Sequence, residues 1–281
     1  MSAENKLGIG TLVIIGGAED KTTDKKILRD VFRLSGGKSS EISIITTATN
    51  YPVEVGNEYK KLFANLGADK IHVININRRE DANDELALEP LSKSDCIFFV
   101  GGDQLRISSI LGNTKVHEII MEAYRSGKVI AGTSAGASMM SQIMVVQGED
   151  DEAPRKCTLK MAPGMGLLNG AIIDQHFNQR GRLGRLLTAV AQNPIILGIG
   201  IDEDTAIVVE DGEKFRVIGS GVATVVDGRD ILFTNVSEQH PDDPLAITNV
   251  KIHILPEKYG FNIKEKVAIL VEETTAREDK K

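Results

Sequence analysis

An α/β fold is expected: a mostly parallel β-sheet covered by helices and continued by an antiparallel β extension. Three observations predict it. Over the first two hundred residues, short β-branched runs alternate with longer amphipathic stretches, the pattern of βαβ units. The runs at 11–15, 96–100 and 129–131 carry almost no polar side chain, as strands covered on both faces require. After Asp202 the character changes to short strands parted by Asp211-Gly212, Gly219-Ser220-Gly221 and Asp227-Gly228-Arg229, which reads as antiparallel.

Taken in order, parallel strands are expected at 11–15, 42–46, 70–75, 96–100, 129–131, 171–173 and 195–201. Helical patterns fill the intervals at 23–35, 53–66, 106–111, 116–126, 135–144 and 181–192. The later strands fall at 205–209, 215–218, 223–226, 231–233 and 250–255, with a loop at 241–244 between two prolines. No internal repeat interrupts the series. A single domain over 1–275 follows, with a charged tail at 276–281 that frays.

Composition narrows the function. Hydrophobic residues make up 41% of the 281, so a sizeable core is available, and with aromatics at 4% and no tryptophan it falls to Ile, Val, Leu and Ala. A net charge of −7 argues against a nucleic-acid binder, which needs a clustered basic surplus, and suits a cationic ligand. Cys96 lies in an apolar run and reads as a buried thiol; with Cys157 it forms neither a disulfide framework nor a zinc spacing. The segment 1–6 is polar, and no run approaches the roughly 18 apolar residues of a membrane span, so a cytoplasmic protein is expected.

Chemistry concentrates at the carboxyl ends of the strands, where α/β sheets carry their ligands. Gly132-Thr133-Ser134-Ala135-Gly136 places a serine between an apolar strand and an apolar helix, and its small neighbours permit a sharp reversal. Two readings of Ser134 stand at this point: a helix cap, or a nucleophile presented at a helix N-terminus. The strand at 96–100 ends in Gly101-Gly102-Asp103-Gln104, whose backbone suits an oxyanion hole; Gly102, Asp103 and Ala135 are the expected donors. Gly16-Gly17 ends the first strand, and an ordinary turn is its plainer reading.

A serine nucleophile needs a base, and the base an orienting carboxylate. Of five histidines, His176 differs in following an apolar strand at the edge where Ser134 should stand. The strand at 195–201 runs into Asp202-Glu203-Asp204, bringing carboxylates to the same edge. In an extended segment Asp202 and Asp204 share one face and Glu203 the other, so spacing leaves the choice among them open.

These motifs resemble the cyanophycinase family, which also contains peptidase E. The resemblance is carried by Gly16-Gly-Ala-Glu-Asp20, Gly101-Gly-Asp-Gln-Leu-Arg106, Gly132-Thr-Ser-Ala-Gly-Ala-Ser138, Asp174-Gln-His-Phe-Asn-Gln-Arg-Gly-Arg-Leu-Gly-Arg185 and Gly200-Ile-Asp-Glu-Asp-Thr205. It implies a flavodoxin-like or class I glutamine amidotransferase-like sheet and a homodimer. It further implies a serine exopeptidase that degrades cyanophycin, multi-L-arginyl-poly-L-aspartate, to β-aspartyl-arginine dipeptides. Ser134 is then the nucleophile, His176 the general base and Glu203 its orienting carboxylate.

Such a substrate carries a guanidinium and a free α-carboxylate in every repeat. Arg180, Arg182 and Arg185 suit the carboxylate, Asp174 and the loop Glu149-Asp-Asp-Glu152 the guanidinium, and Gln104 and Gln175 neutral hydrogen bonds. The plainer reading of basic first turns and an acidic loop is solvated surface. No metal or organic cofactor is implied. The alternatives are a peptidase E-like dipeptidase acting on small aspartyl peptides, an esterase or acyltransferase, and a catalytically silent binding protein on the same fold.

Overall fold

The computed structural model describes residues 9–156, 159–238, 240 and 243–271. Cys157, the expected tail at 276–281 and part of the loop at 241–244 lie outside them. In chain order the elements are β1 (Thr11–Ile15), α1 (Lys26–Leu34), β2 (Glu41–Ile45), α2 (Pro52–Leu66), β3 (Lys70–Ile74), α3 (Glu85–Lys93), β4 (Cys96–Phe99), α4 (Gln104–Leu111), α5 (Lys115–Arg125), β5 (Val129–Thr133) and α6 (Ala135–Ser138). There follow β6 (Ile143–Gln147), β7 (Lys160–Pro163), β8 (Ala171–Asp174), α7 (Leu183–Gln192), β9 (Leu197–Ile201), β10 (Thr205–Glu210), β11 (Lys214–Gly219), β12 (Val222–Asp227), β13 (Lys251–Pro256), β14 (Tyr259–Asn262) and β15 (Val267–Leu270).

The main sheet runs β15-β14-β11-β10-β1-β5-β4-β2-β3. From β1 to β3 every pairing is parallel; from β1 outward through β10, β11, β14 and β15 every pairing is antiparallel. Side chains alternate across it. Val13, Ile15, Phe98 and Ala131 pack with Ile27, Val31 and Phe63 of α1 and α2, whereas Leu12, Ile14, Phe99 and Ile130 face Ile107, Ile120 and Met140 on the other side. Both faces are covered, so β1, β4 and β5 are almost wholly apolar.

β8 and β9, expected in the main sheet, form a second one with order β13-β12-β9-β8. They are parallel to each other, with Ala171 opposite Leu197, but the places beside β1 are already taken by β5 and β10. Ile173, Ile199 and Val225 nevertheless join the same apolar cluster as Leu12 and Ile14, so the two sheets share a core.

Three further expectations change. The helix expected at 135–144 stops at Ser138, because the carbonyls of Met139, Met140 and Ser141 accept hydrogen bonds from the distant N–H groups of Met165, Leu168 and Gly166. Residues 231–233 form no strand: β12 is flanked on both sides by β9 and β13, and Leu232 is left exposed. α3 lies outside the expected helices and forms in spite of Pro90 within it.

Candidate active site

The chain turns from β5 into α6 at Ser134, where φ is 54° and ψ −110°. A conformation of this kind costs an L-residue about 1–3 kcal/mol and persists only where the surroundings hold it. The Ser134 N–H donates to the Ile15 carbonyl at 3.0 Å, and its own carbonyl accepts from Ala137 and Ser138 at 3.0 and 3.1 Å. α6 lies so close on β4 that a Cβ at Gly136 would stand 2.5 Å from the Phe99 carbonyl oxygen, which excludes any larger residue. The Ser134 side chain makes no cap hydrogen bond to α6. Its Oγ lies 2.9 Å from His176 Nε2 instead.

His176 follows β8 and crosses to the main sheet, donating its N–H to the Gly16 carbonyl at 2.8 Å. Its Nδ1 lies 2.7 Å from Glu203 Oε1. Since a carboxylate only accepts, the proton sits on Nδ1 and the Nε2 lone pair points at the serine hydroxyl. Burial holds the imidazole below its ordinary pKa; the Glu203 hydrogen bond opposes this, and the Arg180 and Arg182 charges add to the lowering. The arrangement therefore keeps the base neutral and ready to accept a proton.

The three acids left open by spacing take separate places. Asp202 accepts from the Asn178 N–H and side-chain amide, both at 3.1 Å, and from Val222 N–H at 3.2 Å. Asp204 accepts from Asp20 N–H at 2.9 Å and the Ser220 hydroxyl at 2.8 Å. Glu203 alone of the three reaches the histidine, and its own N–H is held by Gln179 Oε1 at 3.0 Å.

The expected oxyanion donors divide. Gly101 flanks the nucleophile: a Cβ there would stand 3.3 Å from that of Ser134. Gly102 follows it in the same turn, with φ 144°, and Ala135 opens α6. Asp103 is spent, however. Its N–H donates to the Ala48 carbonyl at 3.0 Å, and its carboxylate caps α4 by accepting from Leu105 N–H at 2.8 Å.

The expected substrate-binding residues are mostly turned inward. Asp174 is 1% exposed and is gripped by Arg185, through Nε at 2.6 Å and through NH2. Arg182, 6% exposed, binds Asp150 at 2.8 Å, the Gln175 carbonyl at 2.7 Å and the Gln175 side chain at 3.0 Å. The physical reason is that guanidinium groups buried at the start of α7 must be neutralised inside the protein. Burial pushes the Arg182 guanidinium down and Asp174 holds it up. Gln104 donates its amide to the Val145 carbonyl at 2.8 Å and so ties α4 to β6. Of the three arginines Arg180 alone is exposed, and it forms no ion pair among the described residues.

Gly17, whose plainer reading is an ordinary turn, contributes to the site. It lies against the imidazole ring: a Cβ there would meet His176 Nε2 at 2.4 Å. The double glycine after the first strand was its only signal, and such turns are common in α/β proteins for other reasons.

Comparison with known proteins agrees with this architecture. The profile described as peptidase family S51 matches residues 12–218. A cyanophycinase of Trichormus variabilis is 38% identical over 259 residues, covering 92% of this chain and 87% of its own. One from Geminocystis herdmanii is 39% identical over 255 residues, covering 90% and 94%. The crystal structure of a peptidase from an acI-B1 actinobacterium superposes with a TM-score of 0.61 at 22% identity, covering 88% of this chain and 98% of that one, a likeness of fold. A mixed α/β fold, the S51 profile across most of its length and two such relatives together establish that the chain belongs to peptidase family S51, alongside the cyanophycinases.

Proposed function

We propose that the protein is a serine-type exopeptidase that degrades cyanophycin to β-aspartyl-arginine dipeptides through an acyl-enzyme on Ser134. The observation that carries the reading is the continuous hydrogen-bonded line from Ser134 through His176 to Glu203, in a chain similar to cyanophycinases over nine-tenths of its length. His176 Nε2 takes the hydroxyl proton as Oγ attacks the backbone carbonyl beyond a β-arginyl-aspartate. The tetrahedral oxyanion is held by the N–H groups of Gly102 and Ala135. The imidazolium, stabilised by Glu203, returns the proton to the leaving amine, and water then enters by the same base to release the acyl group.

Arg180, exposed beside the histidine, is assigned to a substrate carboxylate. Arg182, Arg185, Asp174 and Gln175 are assigned to holding the wall on which Arg180 and His176 stand. The guanidinium falls to the exposed loop at 149–152, where Asp150 already meets Arg182. The strand order supports reading the parallel half of the main sheet as flavodoxin-like, with β1 added beside β5 at the edge of the β3-β2-β4-β5 run. Among the described residues no helix is long and apolar enough to cross a membrane; a single domain, a cytoplasmic location and a homodimer remain part of the proposal, the dimer resting on the family resemblance. Incubation with insoluble cyanophycin should release a species with the mass of β-aspartyl-arginine. Hydrolysis of α-aspartyl dipeptides with the polymer untouched would overturn the reading.

A further inference from the structure

We propose that Glu19 is a positioning residue for the Ser134 elbow, acting through Thr133; the role rests on Ser134 being the nucleophile. Glu19 is 4% exposed. Its carboxylate accepts the Thr133 hydroxyl at 2.6 Å, 114 residues away in the chain, and also the Tyr59 hydroxyl. A carboxylate withdrawn this far from water is costly, and apolar side chains fill such positions at less expense where only packing is needed. What the charge does accomplish is local: it fixes the residue directly before the nucleophile.

Ser134 holds a strained backbone, and strain relaxes unless both flanks are pinned. On the C-terminal side its carbonyl is held by the N–H groups of Ala137 and Ser138. On the N-terminal side the pins are the Ser134 N–H to Ile15 and the Thr133 hydroxyl to Glu19. The same short loop, residues 16–20, also accepts the His176 N–H at the Gly16 carbonyl and the Asp204 N–H at the Gly17 carbonyl, at 2.8 and 2.9 Å. Nucleophile, base and the residue after the acid Glu203 are thus referred to one loop, and Glu19 is its link to the nucleophile. Burial and then the Glu19 charge push the Tyr59 hydroxyl well above its ordinary pKa, which keeps it a donor to the carboxylate.

Glu19→Gln and Thr133→Val are to be compared with the wild type for kcat and KM on solubilised cyanophycin, and for the rate at which a fluorophosphonate labels Ser134. Expected are falls of about 10- to 100-fold in kcat and in labelling, the size that small misplacements of reacting groups produce, with KM and the acid limb of the pH profile unchanged. Thr133→Ser, which keeps the hydroxyl, should recover most of the loss, and the double variant should cost no more than either single one. A folded Glu19→Gln or Thr133→Val protein with kcat within about two-fold of the wild type would overturn the inference. So would loss of folding in Thr133→Val, which leaves the Glu19 contact with Tyr59 in place and would make the pair purely structural. If the wild type labels at Ser134 but releases nothing from the polymer, the substrate reading fails and the labelling rates still decide this one.

Discussion

Ser134, itself half-buried, stands between β5 and α6, whose residues are all buried, whereas His176 and Glu203 project from loops that leave the second sheet, their side chains 12% and 36% exposed. The first half of the site is held by close backbone packing and by local supports, Glu19 among them, within and beside the main sheet, the second by hydrogen bonds and charge between two sheets. It follows that the nucleophile should be insensitive to everything except its own replacement and its immediate supports. The base should respond to packing, to buried ion pairs and to solvent charge.

The largest effect should come from Ser134→Ala, which removes the reacting atom: kcat is expected to fall by at least about 10⁴-fold, with polymer still bound, as turnover and sedimentation assays would register. A variant retaining near-normal turnover would remove Ser134 from the chemistry. On the other half, Arg185→Met leaves the buried Asp174 carboxylate without its main partner. About 3–5 kcal/mol of stability should be lost, read as a shift of the denaturant midpoint at constant slope. A loss under about 1 kcal/mol, the range of exposed pairs, would mean that this wall is more hydrated than its burial implies.

Gly17→Ala tests the seat of the imidazole, since the added methyl has no room beside His176 Nε2. Displacing the ring should cost about 10²-fold in kcat. Because Gly17 holds φ 99°, the alanine also strains the backbone, so the melting temperature should fall as well while the protein stays folded by circular dichroism. If activity is unaltered, the base tolerates the movement and the contrast between the two halves weakens.

The smallest effect concerns pH. A general base works when neutral, so kcat/KM should rise with pH and level off above the His176 pKa, which burial holds below the ordinary imidazole value. The Arg180 cation disfavours the imidazolium and so lowers this pKa. Arg180→Gln should move the acid limb to higher pH, and added salt should shrink the difference because Arg180 is exposed. A limb that moves down, or does not move, would separate Arg180 from the base. A rise in KM in the same variant would measure its proposed grip on the substrate carboxylate.

The alternation of apolar strands and amphipathic helices is a local property, set by which side chains must face a core, and it was enough to place the parallel strands of the main sheet and the reversal at Ser134. The double glycines and the lone histidine after an apolar strand marked the reacting edge for a similar reason: close approach needs small residues, and proton transfer needs a titratable group at a strand end. Long-range placement decided the rest. Only the fold sends β8 and β9 into a second sheet, because the flanks of β1 are already filled. Only the fold distinguishes Glu203 from Asp202 and Asp204, since loop conformation rather than strand alternation aims each carboxylate. Likewise three arginines of identical chemistry differ in burial, and the two that α7 turns inward must be neutralised by Asp174 and Asp150, while Arg180 stays in water. Residue type and spacing determine which groups can react, and the packing of two sheets around a shared core determines which of them meet.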